Sequence, residues 1–185
     1  MDVSKIPIGK RPPVDFNAVI ETPAWGEPVR YRLDRDSGAL FVDRFLHAAM
    51  RYPANYGFIP QTLGSHGDAL HVLVVTDTGV VPGSVIRCRP IGALVIDYED
   101  TVEEQIIAMP VAATDPSCGD MHSLRDLPEV LVKQITHFFE HYADLDGGRS
   151  VRHLQWVEAN AAEDLLIRAI ANYEGNAATA ALQET

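Results

Sequence analysis

The chain has 185 residues, with 15 Lys and Arg against 26 Asp and Glu, and a formal net charge of −11. This length and a hydrophobic content of 46% predict one globular domain with a substantial core. The acidic balance argues against nucleic acid or an anionic membrane as a main partner, because both require a basic surface. A small anionic substrate held by a few arginines is compatible with it.

The N-terminal half predicts an extended arm followed by strands. Residues 1–17 have no apolar signal segment, and no apolar run in the chain is long enough to cross a membrane. Beyond them, apolar and β-branched runs are separated by turns rich in Gly and Pro, which is typical of strands. The predicted strands are 17–21, 29–34, 40–42, 71–75, 85–96 and 105–111.

Two helices are predicted in the C-terminal part. Asp126 is placed to cap the first, with Pro128 close to its first turn, and apolar residues then recur at helical spacing. The second is predicted over 161–173, followed by a flexible tail, 175–185. Strands followed by helices in a single domain, 18–174, predict an α+β, mainly β fold, with a small barrel and the helices packed outside it.

The two cysteines predict a reducing environment. Cys88 lies in a predicted strand and Cys118 in a loop, and their spacing forms no Cys-x-x-Cys motif. Such isolated cysteines favour reduced structural thiols and a cytoplasmic location.

The segment GSHGDALHVLVV, 64–75, combines two histidines with an aspartate just before a predicted buried strand. In an extended chain His66 and Asp68 share one face, whereas His71 points to the other. Gly67 allows a turn that would bring the three together. From these residues alone, both a polar loop and a metal site remain open.

Three stretches together resemble a known family. They are SGALFVDRFLHAAMRYPANYGFIPQTL (37–63), VPGSVIRCRPIGAL (81–94) and LPEVLVKQITHFFEHYADLD (127–146). They are similar to the soluble, metal-dependent first family of inorganic pyrophosphatases in its bacterial form, over about 18–156. The resemblance implies a five-stranded, OB-like closed barrel with two flanking helices, a homohexamer, and Mg²⁺-assisted hydrolysis of pyrophosphate.

The resemblance also assigns roles to individual residues. Asp68 matches the family's general base, and the other matching residues give Tyr56 and Glu21 as catalytic candidates and Arg44 and Tyr142 as substrate-binding candidates. Arg30 and Arg32 are further substrate-binding candidates because a guanidinium group matches a planar oxyanion.

Other positions depart from the family pattern. In the family's Asp-Gly-Asp-Pro-x-Asp loop, the first and last aspartates are replaced by His66 and His71. A further metal aspartate falls on Tyr98, or on Asp97 if the match slips by one residue, and another falls on Glu103. A family glutamate is replaced by Arg32, and two family lysines by Gln105 and Ala143.

These departures suggest a changed metal centre. His66, His71 and Glu103 are the ligand types of a facial triad for one divalent transition metal, Fe, Mn or Zn. With the three binding arginines, they predict a rebuilt single-metal enzyme that performs hydrolysis, or a lyase or isomerase step, on a small anionic metabolite. Two alternatives remain: an inorganic pyrophosphatase with Mg²⁺ (or Mn²⁺ or Zn²⁺), and a non-catalytic binding protein of the same fold.

Overall fold

The computed structural model describes residues 2–99, 101–146 and 150–183, with side chains up to residue 179. Within these ranges, eight strands alternate with short turns before and between two α-helices. The strands are β1 Phe16–Thr22, β2 Val29–Leu33, β3 Leu40–Phe45, β4 Asn55–Phe58, β5 His71–Val74, β6 Val85–Tyr98, β7 Val102–Pro110 and β8 Val151–Glu158. The helices are α1 Glu129–His141 and α2 Ala159–Gln183.

Five strands form a ring. They follow the order β1-β4-β5-β7-β6, and a further pairing between β1 and β6 brings the last strand back to the first. The β5–β7 pair is parallel, and the other pairs of the ring are antiparallel. β8 pairs with β6 and extends the sheet beyond the ring, and β2 and β3 form a separate hairpin. The predicted mainly β fold with a five-stranded unit and two helices is confirmed.

Each face of the ring strands packs into its own core. Leu73 and Ile96 lie in a cluster with Phe138 of α1, whereas Val72 lies in a second cluster with Leu166 of α2. This alternation follows from the two-residue period of a strand. Both faces of the ring strands are therefore buried against a core. This explains why most of these strands appear in the sequence as continuous apolar runs, a pattern that predicts a buried strand.

Several boundaries differ from the sequence prediction. The four-residue β4 was missed because its central Gly57 resembles a turn residue, yet a side chain there would clash with Val19 O, 1.9 Å from a built Cβ. β8 was also missed. Asp126 does not cap α1, which begins after Pro128; its carboxylate instead accepts from the backbone of Ser123.

The second helix is longer than predicted, since α2 continues past Tyr173 to Gln183 and includes most of the predicted tail. Over the described part of the chain, the structure has no helix that is both long enough and apolar enough to span a bilayer. The predicted arm begins with a short 3-10 turn, Val3–Lys5, and Val3 packs into a small cluster with Leu33 and Ala69.

Candidate active site

Two adjoining cavities form one cleft beside the ring. Their volumes are about 450 and 270 Å³, and both are lined by Arg30, Asp68, Ala69 and His71. One wall of the cleft is the β2–β3 hairpin, which we call the hairpin wall. The opposite wall consists of the loop 64–70 and the adjoining ends of β5, β6 and β7, which we call the loop wall. The two walls bring together almost every side chain that the sequence suggested.

Arg30 lies at the centre of the hairpin wall. Its Nη2 donates to the Tyr56 hydroxyl at 3.3 Å, and its guanidinium carbon lies 5.3 Å from the centre of the Tyr56 ring. Its Nε lies 3.4 Å from Asp43 Oδ2 but makes no hydrogen bond to any described residue, although it is buried. The nearby Tyr56 raises the pKa of Arg30 above its usual range, so this buried cation stays charged.

Three further arginines line the cleft. Arg44 of β3 lines the larger cavity, and its Nε lies 3.3 Å from Asp43 Oδ2. Arg32 and Arg35 line the smaller cavity. The binding positions predicted for Arg30, Arg32 and Arg44 are thus adjacent in space, which makes the hairpin wall strongly cationic.

The loop wall presents Asp68. Gly67 adopts a φ of +84°, a conformation that favours glycine. The Gly64 amide donates to Asp68 O at 2.7 Å and the Leu70 amide to Thr62 Oγ1 at 3.0 Å, which closes the loop at both ends. The exposed carboxylate of Asp68 lines both cavities and can accept a proton from a group in either.

His66 is turned towards the start of β7. Its Nε2 lies 2.5 Å from Val102 O, and its Nδ1 lies 3.2 Å from Thr101 Oγ1. Because a carbonyl only accepts, Nε2 carries the proton, and Nδ1 is then the ring nitrogen with the lone pair. In this arrangement His66 joins the loop to the β6–β7 turn.

His71 is the first residue of β5, between Phe58 of β4 and Gln105 of β7. Its ring lies 5.3 Å from the Tyr56 ring. Burial, and secondarily the charge of Arg30, lowers its pKa to about 4. His71 is therefore a neutral side chain at physiological pH.

Glu21 of β1 is hydrogen-bonded to the hairpin wall. It is 5% exposed, and its Oε1 accepts from the Leu33 amide at 2.8 Å. Burial raises its pKa to about 6, although the Leu33 hydrogen bond and the charge of Arg30 oppose that shift. Glu21 also lines the smaller cavity, and the catalytic role expected from the sequence stays a prediction.

The structure shows which of Asp97 and Tyr98 lies in the cleft. Tyr98 lines the larger cavity, together with Tyr142, whereas Asp97 is absent from the lining of both cavities. The Tyr98 hydroxyl is buried and has no hydrogen-bond partner among the described residues. A phenol therefore stands where the resemblance predicts a metal-binding carboxylate.

The predicted metal triad is not assembled. Within residues 2–99, 101–146 and 150–183, no group of three or more His, Cys, Asp or Glu side chains is arranged to hold a metal ion. Glu103 lines the larger cavity and accepts from Gln105 Nε2 at 3.4 Å, while His66 is bonded to Val102. These side chains do not fit a resident metal of either kind, the transition metal of the triad or the Mg²⁺ implied by the resemblance.

Sequence reasoning missed one residue of the cleft and one beside it. Arg35 lines the smaller cavity and lies over the Phe58 ring at 5.6 Å, and Asp43, beside the cleft, pairs with both Arg30 and Arg44. Asp43 lies in the first of the three quoted stretches and directly precedes Arg44, so its position was a usable signal. Arg35 lies in the turn between β2 and β3, where the sequence does not show which way a side chain points.

Known proteins resemble this chain over most of its length. The family model for inorganic pyrophosphatase matches residues 18–174. The inorganic pyrophosphatase of Caulobacter vibrioides is 51% identical over 173 residues, 94% of this chain and 98% of the relative, and that of Gluconobacter oxydans is 50% identical over 171 residues. The crystal structure of the Thermus thermophilus enzyme superposes with a TM-score of 0.87 at 34% identity, covering 94% of this chain and 99% of its own.

These relatives overturn the leading hypothesis from the sequence. A rebuilt single-metal enzyme for another small metabolite is wrong, because relatives 43–51% identical over nearly the full chain are named inorganic pyrophosphatases. The alternative of a classical inorganic pyrophosphatase is the one that these relatives favour. With a family model covering 18–174 and a relative that matches 94% of the chain, the chain belongs to the inorganic pyrophosphatase family.

Proposed function

We propose that this chain hydrolyses inorganic pyrophosphate to two phosphates. The observation that carries the proposal is the 51% identity over 94% of the chain to the Caulobacter vibrioides inorganic pyrophosphatase. The cleft supports it, because its arginines suit a small, highly charged oxyanion.

Binding would rest on the hairpin wall. Arg30 and Arg44 face the larger cavity, where Tyr98 and Tyr142 add hydroxyl groups. A guanidinium offers two parallel N–H donors to a phosphate group, so two arginines can hold both ends of a diphosphate. Tyr56 fixes Arg30 through its hydroxyl and ring, and is buried, with 2% exposed. Tyr56 therefore acts as a positioning residue for Arg30.

Asp68 would act as the general base. It lies on the loop opposite the arginines and lines both cavities. A water molecule beside its carboxylate can attack one phosphorus atom of the diphosphate, lose its proton to Asp68, and displace the second phosphate. The arginines neutralise charge on the leaving phosphate, and proton return to that group regenerates Asp68.

Members of the family use a divalent metal, typically Mg²⁺, which neutralises phosphate charge. Since the described side chains form no three-ligand group, no step above depends on a resident ion. The transition-metal preference drawn from the sequence loses its structural basis along with the triad.

The test is phosphate release from pyrophosphate by the purified chain with Mg²⁺, Mn²⁺ or Zn²⁺. We expect turnover with Mg²⁺ and a loss of about 10²–10⁴-fold in kcat for Asp68→Asn, the usual contribution of a general base. Asp120→Asn, an exposed aspartate outside the cleft, is the matched control and should keep full activity. Absence of release with all three ions would instead support the non-catalytic alternative.

A further inference from the structure

We propose that the cleft binds diphosphate without a resident divalent cation, because fixed guanidinium groups supply the positive charge. Any Mg²⁺ needed for turnover then enters bound to the diphosphate. The inference rests on the proposed function and deepens it by naming the form of the substrate and its order of binding.

The first support is the state of Arg30. Its side chain is 20% exposed, so it is largely removed from water, and its Nε lacks a hydrogen-bond partner in the described chain. Leaving a buried charged donor unsatisfied costs free energy that a bound anion would recover. Its hydrogen bond to Tyr56 and its ion pair with Asp43 hold it in place before a ligand arrives.

The second support is the number of cations around Arg30. Four guanidinium groups line the two cavities, from Arg30, Arg32, Arg35 and Arg44. Five carboxylates also line these cavities, but those of Glu104, Asp34, Glu21 and Glu103 already have partners: Arg168 at 3.6 Å, Ser37 Oγ at 2.5 Å, the Leu33 amide at 2.8 Å and Gln105 Nε2 at 3.4 Å. The cations of the hairpin wall therefore face an anion that enters between the walls.

The third support is the loop wall. A resident cation needs several oxygen or nitrogen ligands in one place, and among the described residues no such group exists. His66 Nε2 donates to Val102 O, and the Tyr98 hydroxyl, which is buried and has no hydrogen-bond partner among the described residues, offers a donor to a phosphate oxygen. The Tyr98 donor and the lack of an assembled ligand group favour the anion over the cation as the species that the cleft recognises.

The test measures binding of methylenediphosphonate, a diphosphate analogue that cannot be hydrolysed, by titration calorimetry in EDTA and in Mg²⁺. We expect binding in EDTA with a Kd within about tenfold of the value in Mg²⁺. In a second titration, Mn²⁺ added to the ligand-free protein and followed by its EPR signal should remain unbound at stoichiometric concentrations.

Variants identify the groups responsible. Arg44→Gln removes a partly exposed guanidinium, so folding is expected to persist, and should weaken binding in EDTA at least fivefold. Arg30→Gln should weaken it more. Arg152→Gln on the exposed part of β8 is the matched control and should leave the Kd unchanged.

Two results would overturn the inference: analogue binding that disappears in EDTA, or one Mn²⁺ held tightly by the free chain. Either could occur with phosphate release intact, in which case the proposed function stands and only the metal-free recognition is wrong. Failure to release phosphate at saturating Mg²⁺ would instead remove the proposed function itself.

Discussion

The two walls of the cleft differ in what fixes their chemistry. The hairpin wall is cationic and prearranged, since Asp43 and Tyr56 hold Arg30 from two sides. The loop wall carries the carboxylates of Asp68, Glu103 and Glu104, the last of which pairs with Arg168. Its other groups are polar or neutral: His71 is uncharged, His66 donates to Val102 O, and Tyr98 is a buried phenol. An anion-binding wall therefore faces a wall that activates water, and each can be altered separately.

Among changes to the hairpin wall, the largest effect is expected from removing its central cation. Arg30→Gln should lower kcat/KM for pyrophosphate by about 10²–10³-fold, the usual loss on removing one preorganised donor. Arg30→Lys keeps the charge but not the paired donors, and should recover part of that loss. Steady-state phosphate release checks both variants. Equal activity in all three proteins would show that the hairpin wall does not bind the substrate.

The loop wall should be the acid-sensitive side of the molecule. The folded pKa of His71 is about 4, below the ordinary histidine value of 6.5, so between these values the unfolded chain binds more protons. Stability from this group is complete above pH 6.5 and falls as the pH approaches 4, by up to about 3 kcal/mol. His71→Gln should lack this loss when urea unfolding is measured at pH 7.5 and 4.5.

Glu21, beneath the hairpin wall, should act in the opposite direction. Its folded pKa of about 6 exceeds the ordinary glutamate value of 4.5, so the folded chain binds more protons between these values. Its burial costs about 2 kcal/mol above pH 6, and that cost disappears below pH 4.5. Glu21→Gln keeps an acceptor for the Leu33 amide and should be more stable than the parent at pH 7.5, but not at pH 4.5.

Together these two variants distinguish the contributions of the two walls to the pH dependence of stability. In urea unfolding between pH 4.5 and 6, the stability of His71→Gln should fall as the pH rises, and that of Glu21→Gln should rise. Parallel slopes for the two proteins would show that burial does not control these groups.

The hairpin wall was better predicted from the sequence than the loop wall. Arg30, Arg32 and Arg44 lie on strands, where alternation fixes the direction of a side chain, and all three line the cleft; their role in binding substrate stays a prediction. His66 lies in a loop, where the backbone turns at Gly67 and the partner, Val102 O, is a main-chain atom that no residue pattern reveals. Ligand types at the right spacing therefore predicted a metal triad that the backbone does not assemble.

The smallest effect is expected where the two walls meet. Val3 of the N-terminal arm is 5% exposed and packs in one cluster with Leu33 of β2 and Ala69, the neighbour of Asp68. Val3→Ala removes two methyl groups and should lower the free energy of unfolding by about 1.5 kcal/mol. Val14→Ala, at a site 46% exposed, controls for the loss of side-chain volume and should change it little. If the arm only adds stability, kcat at 25 °C will be the same in both variants; a lower kcat in Val3→Ala alone would show that this contact also positions Asp68 against the arginines.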